Sequence, residues 1–282
     1  MKIYENLTLD AERALYGERG IHIKNCSFDG PADGESALKE SGEILAEDCF
    51  FNLRYPFWHC DGVEIFGSEM TELCRAALWY SNGVEIKDSK LHGIKAVREC
   101  HDVSLENCDV ISPEFGWFSS NINVRSSSFV SEYFMLRAKN LGFNSVKFKG
   151  KYSFQYIENS VFENCDFDTK DAFWHAKNVT IRNSRVKGEY LAWYCEDLTF
   201  ENCEIIGTQP LCYCKNLRLI NCTMTGCDLS FEKSSVNADI VGHIDSVKNP
   251  KSGSITADSI GEIIDEVGYA EIKIRSNNYA TN

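Results

Sequence analysis

Aromatic and histidine side chains recur at a fixed spacing, and they are the groups in this sequence best suited to chemistry. From residue 79 onward the spacing is 19 residues, and all 5 tryptophans fall in one column of the repeat: Trp58, Trp79, Arg98, Trp117, Leu136, Gln155, Trp174, Trp193 and Cys212. The next column holds His59, Tyr80, Glu99, Phe118, Arg137, Tyr156, His175, Tyr194 and Tyr213. Sugar rings pack their apolar C–H groups against aromatic rings, and their hydroxyls meet polar edges. The second column therefore suggests a carbohydrate site formed by His59, Tyr80, Arg137, Tyr156, Tyr194 and Tyr213.

Acidic residues along the same strip are the candidates for catalysis. A glycosidase needs two carboxyl groups about 5–9 Å apart, one of them with a raised pKa. The candidate catalytic residues are Glu99, Glu114, Asp171 and His175. The sequence pairs no two of these acids, so it leaves open whether the protein is an enzyme.

Metal ligands are not indicated by the pattern. His59 and His175 are six repeats apart, too far to share one ion, and Cys212 and Cys214 alternate between faces of a strand. We expect neither a metal nor another cofactor.

Charge limits the partners. The 29 basic and 42 acidic residues give a net charge of −13, which repels phosphate backbones and anionic membranes. We therefore expect no nucleic acid or membrane partner. A neutral carbohydrate remains as a ligand. The alternative is a noncatalytic scaffold that uses the same strip to bind a protein or a second copy of the chain, forming a homo-oligomer.

The N-terminal residues and the cysteines indicate the compartment. The first ten residues lack the features of a secretory signal, and no apolar run is long enough to span a membrane, so we expect a cytoplasmic protein. The 13 cysteines are an odd number in a long chain, which favours reduced thiols packed as small apolar groups.

The strip is positioned by a sequence repeat, and one anchor position can be assigned in each copy of the repeat. The anchors are Cys26, Cys49, Ser68, Ser89, Cys108, Ser127, Val146, Cys165, Ser184, Cys203, Cys222, Val241, Ile260 and Tyr279. From 89 to 279 every step is 19 residues. Positions five and three before the anchor and two after it are almost all apolar, with Ser160 an exception. Alternating apolar residues on both sides of a polar break predict strand, turn, strand.

Corner and surface residues support the same coil. Asn recurs just before the anchor, where it tolerates left-handed geometry and can hydrogen-bond between coils, and Gly marks a second corner four residues after the anchor. Charged columns around Arg182 and Arg185 would place opposite charges one coil apart. We place the tryptophan column inward, because burying its neighbour would leave Glu99 and Arg137 unpaired in the core.

These observations predict an all-β, single-stranded, right-handed parallel β-helix of about 13 rungs over residues 1–282 as one domain. Residues 1–20 would form an N-terminal cap with a short helix over Asp10–Tyr16, 21–234 the regular rungs, and 235–282 degraded rungs and a C-terminal cap. A leucine-rich repeat is the main rival, but a second strand follows the corner here.

Several segments together resemble a known family. They are Ala11–Tyr16, Gly30–Lys39, Phe57–Cys60 and the Asn-Cys rungs. They are similar to an uncharacterised bacterial family, labelled a domain of unknown function, with the β-helix of the pectin-lyase-like superfamily. The resemblance covers nearly the whole chain and implies the right-handed, single-domain architecture. It implies no catalytic residues, and the lyases and hydrolases of the wider superfamily are an analogy of fold alone.

Overall fold

The computed structural model describes residues 1–266 and 270–275, which form parallel β-solenoid coils, about 14 in all. They divide into two compact units, Met1–Lys149 and Gly150–Asn282. In the described residues the only helical segment is a single 3₁₀ turn at Glu72–Cys74. No helix in the described part of the chain is long and apolar enough to cross a membrane.

The first unit contains short strands that follow one another around each coil. They are β1 (Lys2–Glu5), β2 (Arg19–Lys24), β3 (Ser27–Phe28), β4 (Gly42–Glu47), β5 (Phe50–Phe51), β6 (Phe57–Trp58), β7 (Asp61–Phe66), β8 (Glu69–Met70), β9 (Leu78–Trp79), β10 (Asn82–Lys87), β11 (Lys90–Leu91), β12 (Val97–Arg98), β13 (His101–Glu106), β14 (Asp109–Ile111), β15 (Glu114–Phe115), β16 (Ser120–Arg125), β17 (Ser128–Ser131), β18 (Tyr133–Phe134), β19 (Lys139–Asn144) and β20 (Lys147–Gly150), which ends at the unit boundary. Equivalent strands pair in parallel from coil to coil, as β10 pairs with β13 through Val84 and Val103.

The second unit repeats the same order. Its strands are β21 (Glu158–Glu163), β22 (Asp166–Asp168), β23 (Lys177–Arg182), β24 (Arg185–Lys187), β25 (Glu196–Glu201), β26 (Glu204–Ile206), β27 (Leu217–Thr225), β28 (Ser235–Ile240), β29 (His243–Lys248), β30 (Ser252–Ala257), β31 (Ser259–Ile264) and β32 (Glu271–Ile274). β23 pairs with β25 through Val179 and Leu198, a step of 19 residues. The predicted stacking of equivalent residues is confirmed in this region.

The predicted apolar columns form the core of each unit. Ile181, Phe200 and Leu219, three residues before successive anchors, are each no more than 1% exposed. The polar exception, Ser160, is also buried, and its hydroxyl donates to the Glu158 carbonyl at 3.0 Å. Because hydroxyls buried without a partner are costly, this local hydrogen bond explains how a serine is tolerated in the column.

Asparagine ladders follow two corners of the coil. At the predicted corner, Asn202 Nδ2 donates to Asn183 Oδ1 at 3.2 Å and Asn221 Nδ2 to Asn202 Oδ1 at 2.8 Å, and all three residues have positive φ. A second ladder, six residues before the anchor, was not predicted: Asn178 Nδ2 donates to Asn159 Oδ1 at 2.8 Å. Both corners use the tolerance of asparagine for left-handed backbone.

Charged columns pair across coils as predicted. Arg182 lies 3.3 Å from Glu163 and 3.1 Å from Glu201, and Arg185 lies 3.0 Å from Asp166. The guanidinium groups are 40–45% exposed, so these pairs define the register and add little free energy.

All 13 cysteines are free and buried, which confirms their role as small packing groups. Burial raises the pKa of Cys60 to about 12 and that of Cys49 to about 11. Serines share these columns because they accept a backbone N–H from the preceding coil, as Ser184 Oγ does from Cys165 N at 3.0 Å.

The predicted N-terminal helix is wrong. Residues 11–17 form turns, and their N–H groups bond the following coil: Arg13 N donates to Glu35 O at 3.0 Å and Leu15 N to Ala37 O at 2.8 Å. The segment is therefore one side of the first coil. Seven residues of apolar spacing could not distinguish a helix from this side, because Leu15 is buried in both.

The constant 19-residue step is wrong beyond Val236. Val236 pairs with Gly253 and Ala238 with Ile255, a step of 17, and β29 pairs with β31 at a step of 16. The coils therefore shorten here, and Ile255 does not lie on Val236 as predicted. The last predicted anchor, Tyr279, and the end of the predicted C-terminal cap lie outside the described residues.

Candidate functional site

The third side of each coil carries the candidate strip on an unusual backbone. Tyr190, Ala192 and Tyr194 have φ values of 54°, 56° and 61°, and the same alternation recurs in neighbouring coils. Their N–H groups donate alternately to the following and the preceding coil, as Tyr194 N does to Cys212 O and Ala192 N to Ala172 O. Since alternate residues are left-handed, the in-and-out rule of a β-strand does not hold here.

The inward placement of the tryptophan column is therefore wrong. The core positions belong to the two columns before it: Phe154, Phe173 and Leu211 from one of them are fully buried, whereas Trp174 and Trp193 are half-buried at the surface. Those two inner columns are almost wholly apolar in the sequence, and this apolar character could have identified them as the core positions. The small residues two positions after this column do face inward, and all are buried: Cys60, Ser81, Cys100, Ser119, Ala138, Ala176, Cys195 and Cys214.

Hydrogen bonds to the next coil fix the two tryptophans of the second unit. Trp174 Nε1 donates to Tyr190 O at 2.7 Å, and Trp193 Nε1 donates to Gln209 O at 2.8 Å. Gln155 replaces a tryptophan and keeps the bond, since its Nε2 donates to Asp171 O at 2.9 Å. The indoles of Trp174 and Trp193 stack at 5.5 Å with 7° between their planes. In the second unit the column is thus rigid while partly exposed.

In the second unit the adjacent column forms a continuous stack of rings, which we call the tyrosine–histidine ladder: Tyr156, His175, Tyr194 and Tyr213. Successive ring centroids are 4.7, 5.1 and 4.9 Å apart, with planes 9–12° from parallel. Tyr156 is 37% exposed and Tyr194 is 47% exposed. Rings stacked in this way cover one another's faces, so the ladder presents mainly ring edges, which carry phenol oxygens and imidazole nitrogens.

In the first unit the strip contains a cation between aromatic rings. The Arg98 guanidinium lies 5.7 Å from the Trp79 ring centroid and 5.2 Å from that of Trp117. Its Nε is 3.3 Å from Glu99, and its Nη1 is 3.9 Å from Glu114, which Lys95 approaches to 3.4 Å. The other strip residues of this unit, His59, Tyr80, Phe118 and Arg137, are exposed as predicted.

The four candidate catalytic residues belong to two different units. Glu99 and Glu114 belong to the first unit, where cations pair with both, which suits charge balance better than proton transfer. Asp171 and His175 share a coil of the second unit. Burial raises the pKa of Asp171, an effect that nearby Lys170 opposes, and burial lowers the pKa of His175. In the described residues no three His, Cys, Asp or Glu side chains come together as metal ligands would.

The raised pKa of Asp171 predicts a pH-dependent effect of Asp171→Asn on stability. The folded protein binds more protons here than the unfolded chain, so the contribution of Asp171 to stability is complete below pH 3.8 and is lost as the pH rises through the folded pKa. We expect the asparagine variant to melt on the order of 2 °C higher at pH 7 and to match the parent at pH 3.5. Thermal melts across this range measure the difference.

Asp168→Asn is the control for that effect, because its exposed carboxylate lies 3.5 Å from Lys187. Asp168→Asn should not raise the melting temperature at pH 7. A lower melting temperature of Asp171→Asn at pH 7 would contradict the assigned cause.

Comparison with known proteins identifies a family and distant structural likenesses. The family model described as a protein of unknown function (DUF3737) matches residues 2–275. No curated protein matches the chain. The tailspike protein gp49 from Pseudomonas phage LKA1 is 10% identical with a TM-score of 0.33, over 83% of this chain and 47% of that one. This chain thus spans about half the length of the tailspike chain.

Two further solved structures resemble the chain to a similar extent. The Agl-KA catalytic domain is 10% identical with a TM-score of 0.33, over 97% of this chain and 60% of that one. A double mutant of the periplasmic alginate epimerase AlgG is 9% identical with a TM-score of 0.28, over 96% and 77%. Similarities of this size say nothing about activity, so the function must be argued from the surface itself.

Proposed function

We propose that this chain, which belongs to the DUF3737 family of proteins of unknown function, binds neutral carbohydrate through the tyrosine–histidine ladder. The observation that carries the proposal is the ladder's geometry: four rings held parallel at intervals of 4.7–5.1 Å, two of them at least 37% exposed. A row of polar edges in fixed register suits a linear ligand that offers hydroxyls at regular intervals.

Rigidity favours binding by this row. Each ring is held by its neighbours, and Tyr213 Oη also lies 3.3 Å from Glu232 Oε2. Side chains already ordered in the free protein lose little entropy on binding, and tyrosine has few torsions to lose. The ladder therefore needs little reorganisation to accept a ligand.

The chemistry of the edges favours sugars over the other partner classes. Phenol oxygens donate and accept hydrogen bonds and a neutral imidazole does both, as sugar hydroxyls require. Burial lowers the pKa of His175, so its ring is neutral at physiological pH. The net charge of −13 disfavours polyanionic chains.

Removal of a central ring tests the proposal. Tyr194→Ala should weaken the binding of neutral oligosaccharides at least about tenfold, a loss of about 1.4 kcal/mol. Tyr194→Phe, which keeps the stacked ring and removes the hydroxyl, should fall between the parent and the alanine variant. Isothermal titration with cello-, xylo- and malto-oligosaccharides at millimolar concentration measures both, and affinity should rise with chain length up to about four sugars.

Tyr16→Ala is the matched control, because Tyr16 is 50% exposed and lies outside the ladder. It should bind as the parent does. The proposal is wrong if no neutral oligosaccharide binds, or if Tyr194→Ala binds unchanged. Sedimentation tests the alternative: a parent oligomer that Tyr194→Ala converts to monomer, without any sugar binding, would assign the ladder to self-association.

A further inference from the structure

Beside the tyrosine–histidine ladder, one column of the second unit contains a short acidic side chain between two tyrosines. Tyr152, Asp171 and Tyr190 occupy the same position in three successive coils, with φ values of 51°, 51° and 54°. Tyr152 N donates to Lys170 O at 2.8 Å, and Asp171 N donates to Glu189 O at 3.0 Å. Equal backbone geometry in register directs the three Cα–Cβ bonds the same way.

The size difference makes this position a notch. Aspartate is shorter than tyrosine by a whole ring, so Asp171 lies at the floor and is only 9% exposed, whereas Tyr152 and Tyr190 are less buried. Two coil spacings separate the tyrosine backbones by about 10 Å, which is room for one ring-shaped group between them. We call this site, formed by Tyr152, Asp171 and Tyr190, the Asp171 notch.

The carboxylate at the floor lacks a partner. In the part of the chain that the structure describes, no hydrogen bond or ion pair reaches the Asp171 side chain. Lys170, whose charge opposes the rise in the pKa of Asp171, instead pairs with Glu189 at 2.8 Å. Partial burial of a carboxylate without a protein donor disfavours its charged form, and this cost raises the pKa of Asp171. A ligand that brought a positive charge would remove that cost.

The wall of the notch already accommodates a cation. Lys170 Nζ lies 5.8 Å from the centroid of the Tyr190 ring. Aromatic walls and a carboxylate together favour ammonium groups, which interact with ring faces and form charge-assisted hydrogen bonds. The net charge of −13 also raises the local concentration of cations.

We propose that the Asp171 notch binds the ammonium group of an amino sugar. This inference rests on the proposed function, because His175 of the ladder lies four residues after Asp171 in the same coil, so that a glycan along the ladder can place one substituent in the notch. The ladder binds hydroxyls of any neutral glycan, and the notch selects chains that carry a free amine.

The test compares two glycans that differ only at the amine. Isothermal titration at pH 6 measures β-1,4-linked glucosamine tetramer against its fully N-acetylated counterpart. The free amine should bind at least tenfold more tightly to the parent. Asp171→Asn, which keeps size and tolerance for positive φ, should reduce that preference to less than twofold while retaining affinity for the acetylated tetramer. Asp168→Asn removes the same charge elsewhere in the unit and should keep the preference.

The outcomes separate this inference from the proposed function. Equal binding of the two tetramers, or a preference that survives in Asp171→Asn, overturns the notch and leaves the ladder in place. A preference lost equally in Asp168→Asn also overturns it, because net charge would then be sufficient. A third outcome is that neither tetramer binds but ethanolamine binds in an Asp171-dependent way. The notch would then bind amines that do not come from a glycan. The proposed carbohydrate binding by the ladder would be wrong.

Discussion

Phe173→Ala is expected to lower the free energy of unfolding of the second unit by about 3–5 kcal/mol. Phe173 is fully buried, stacks on Phe154 at 4.8 Å, and contacts Phe162 at a centroid distance of 5.8 Å. Truncation removes the apolar transfer energy of the ring and leaves a cavity that the rigid coils cannot close. Denaturant unfolding followed by circular dichroism measures the loss.

The position of Phe173 makes the effect informative about the surface. Trp174 and His175 follow it directly, so the same variant should also weaken the order of the ladder. Val161→Ala is the control, because Val161 is 41% exposed, and it should change stability by less than about 0.5 kcal/mol. In a coil structure each repeat contacts only its neighbours, so hydrogen exchange should rise in the coils next to Phe173. A loss below about 1 kcal/mol would show that the aromatic core is not tightly packed.

Gly207→Ala should be the most damaging change among the corner glycines. Gly207 has φ = 124°, and a Cβ there would lie 2.2 Å from Gly188 O of the preceding coil. Both the backbone conformation and the close approach exclude a side chain, and we expect a loss of about 3 kcal/mol or more. Because the clash is with backbone, relief requires the two coils to separate.

Gly226→Ala provides the matched comparison. Gly226 also has positive φ, 62°, but apart from its two chain neighbours no residue has an atom within 4 Å of the point that an added Cβ would occupy. Gly226→Ala should lower the free energy of unfolding only by the cost of placing an alanine in left-handed backbone, about 1–2 kcal/mol. Thermal and denaturant unfolding of the two variants should therefore differ by at least about 1 kcal/mol, and equal stability would show that the coils are not in close contact at Gly207.

Sequence reasoning predicted those parts of the fold that follow strict β-alternation. Columns such as Val179 and Leu198 are correct because side chains two apart on a strand share a face. The asparagine corner was predictable because its left-handed backbone limits the residue types. The tryptophan column was misplaced because alternate left-handed residues, Ala192 among them, break the alternation on the third side.

The candidate site was predictable only as a set of positions. The repeat placed Tyr156, His175, Tyr194 and Tyr213 in one column, and their rings do stack in that order. Ring orientation was not predictable, because whether faces or edges point outward depends on side-chain torsions that column spacing does not define. The Asp171 notch was not predictable either. It depends on the difference in size between Asp171 and the tyrosines before and after it in one column, and not on the residue type at a single position.

The regular register of the central coils has an evolutionary consequence. Equivalent atoms return every 19 residues between Val179 and Leu217, so gaining or losing one whole coil by in-frame duplication or deletion would keep every side chain on its face. Loss of a single residue within a strand would instead exchange interior and exterior for the rest of that strand. Length variation among relatives should therefore be quantised, and each added coil would lengthen the row of ring edges by one step.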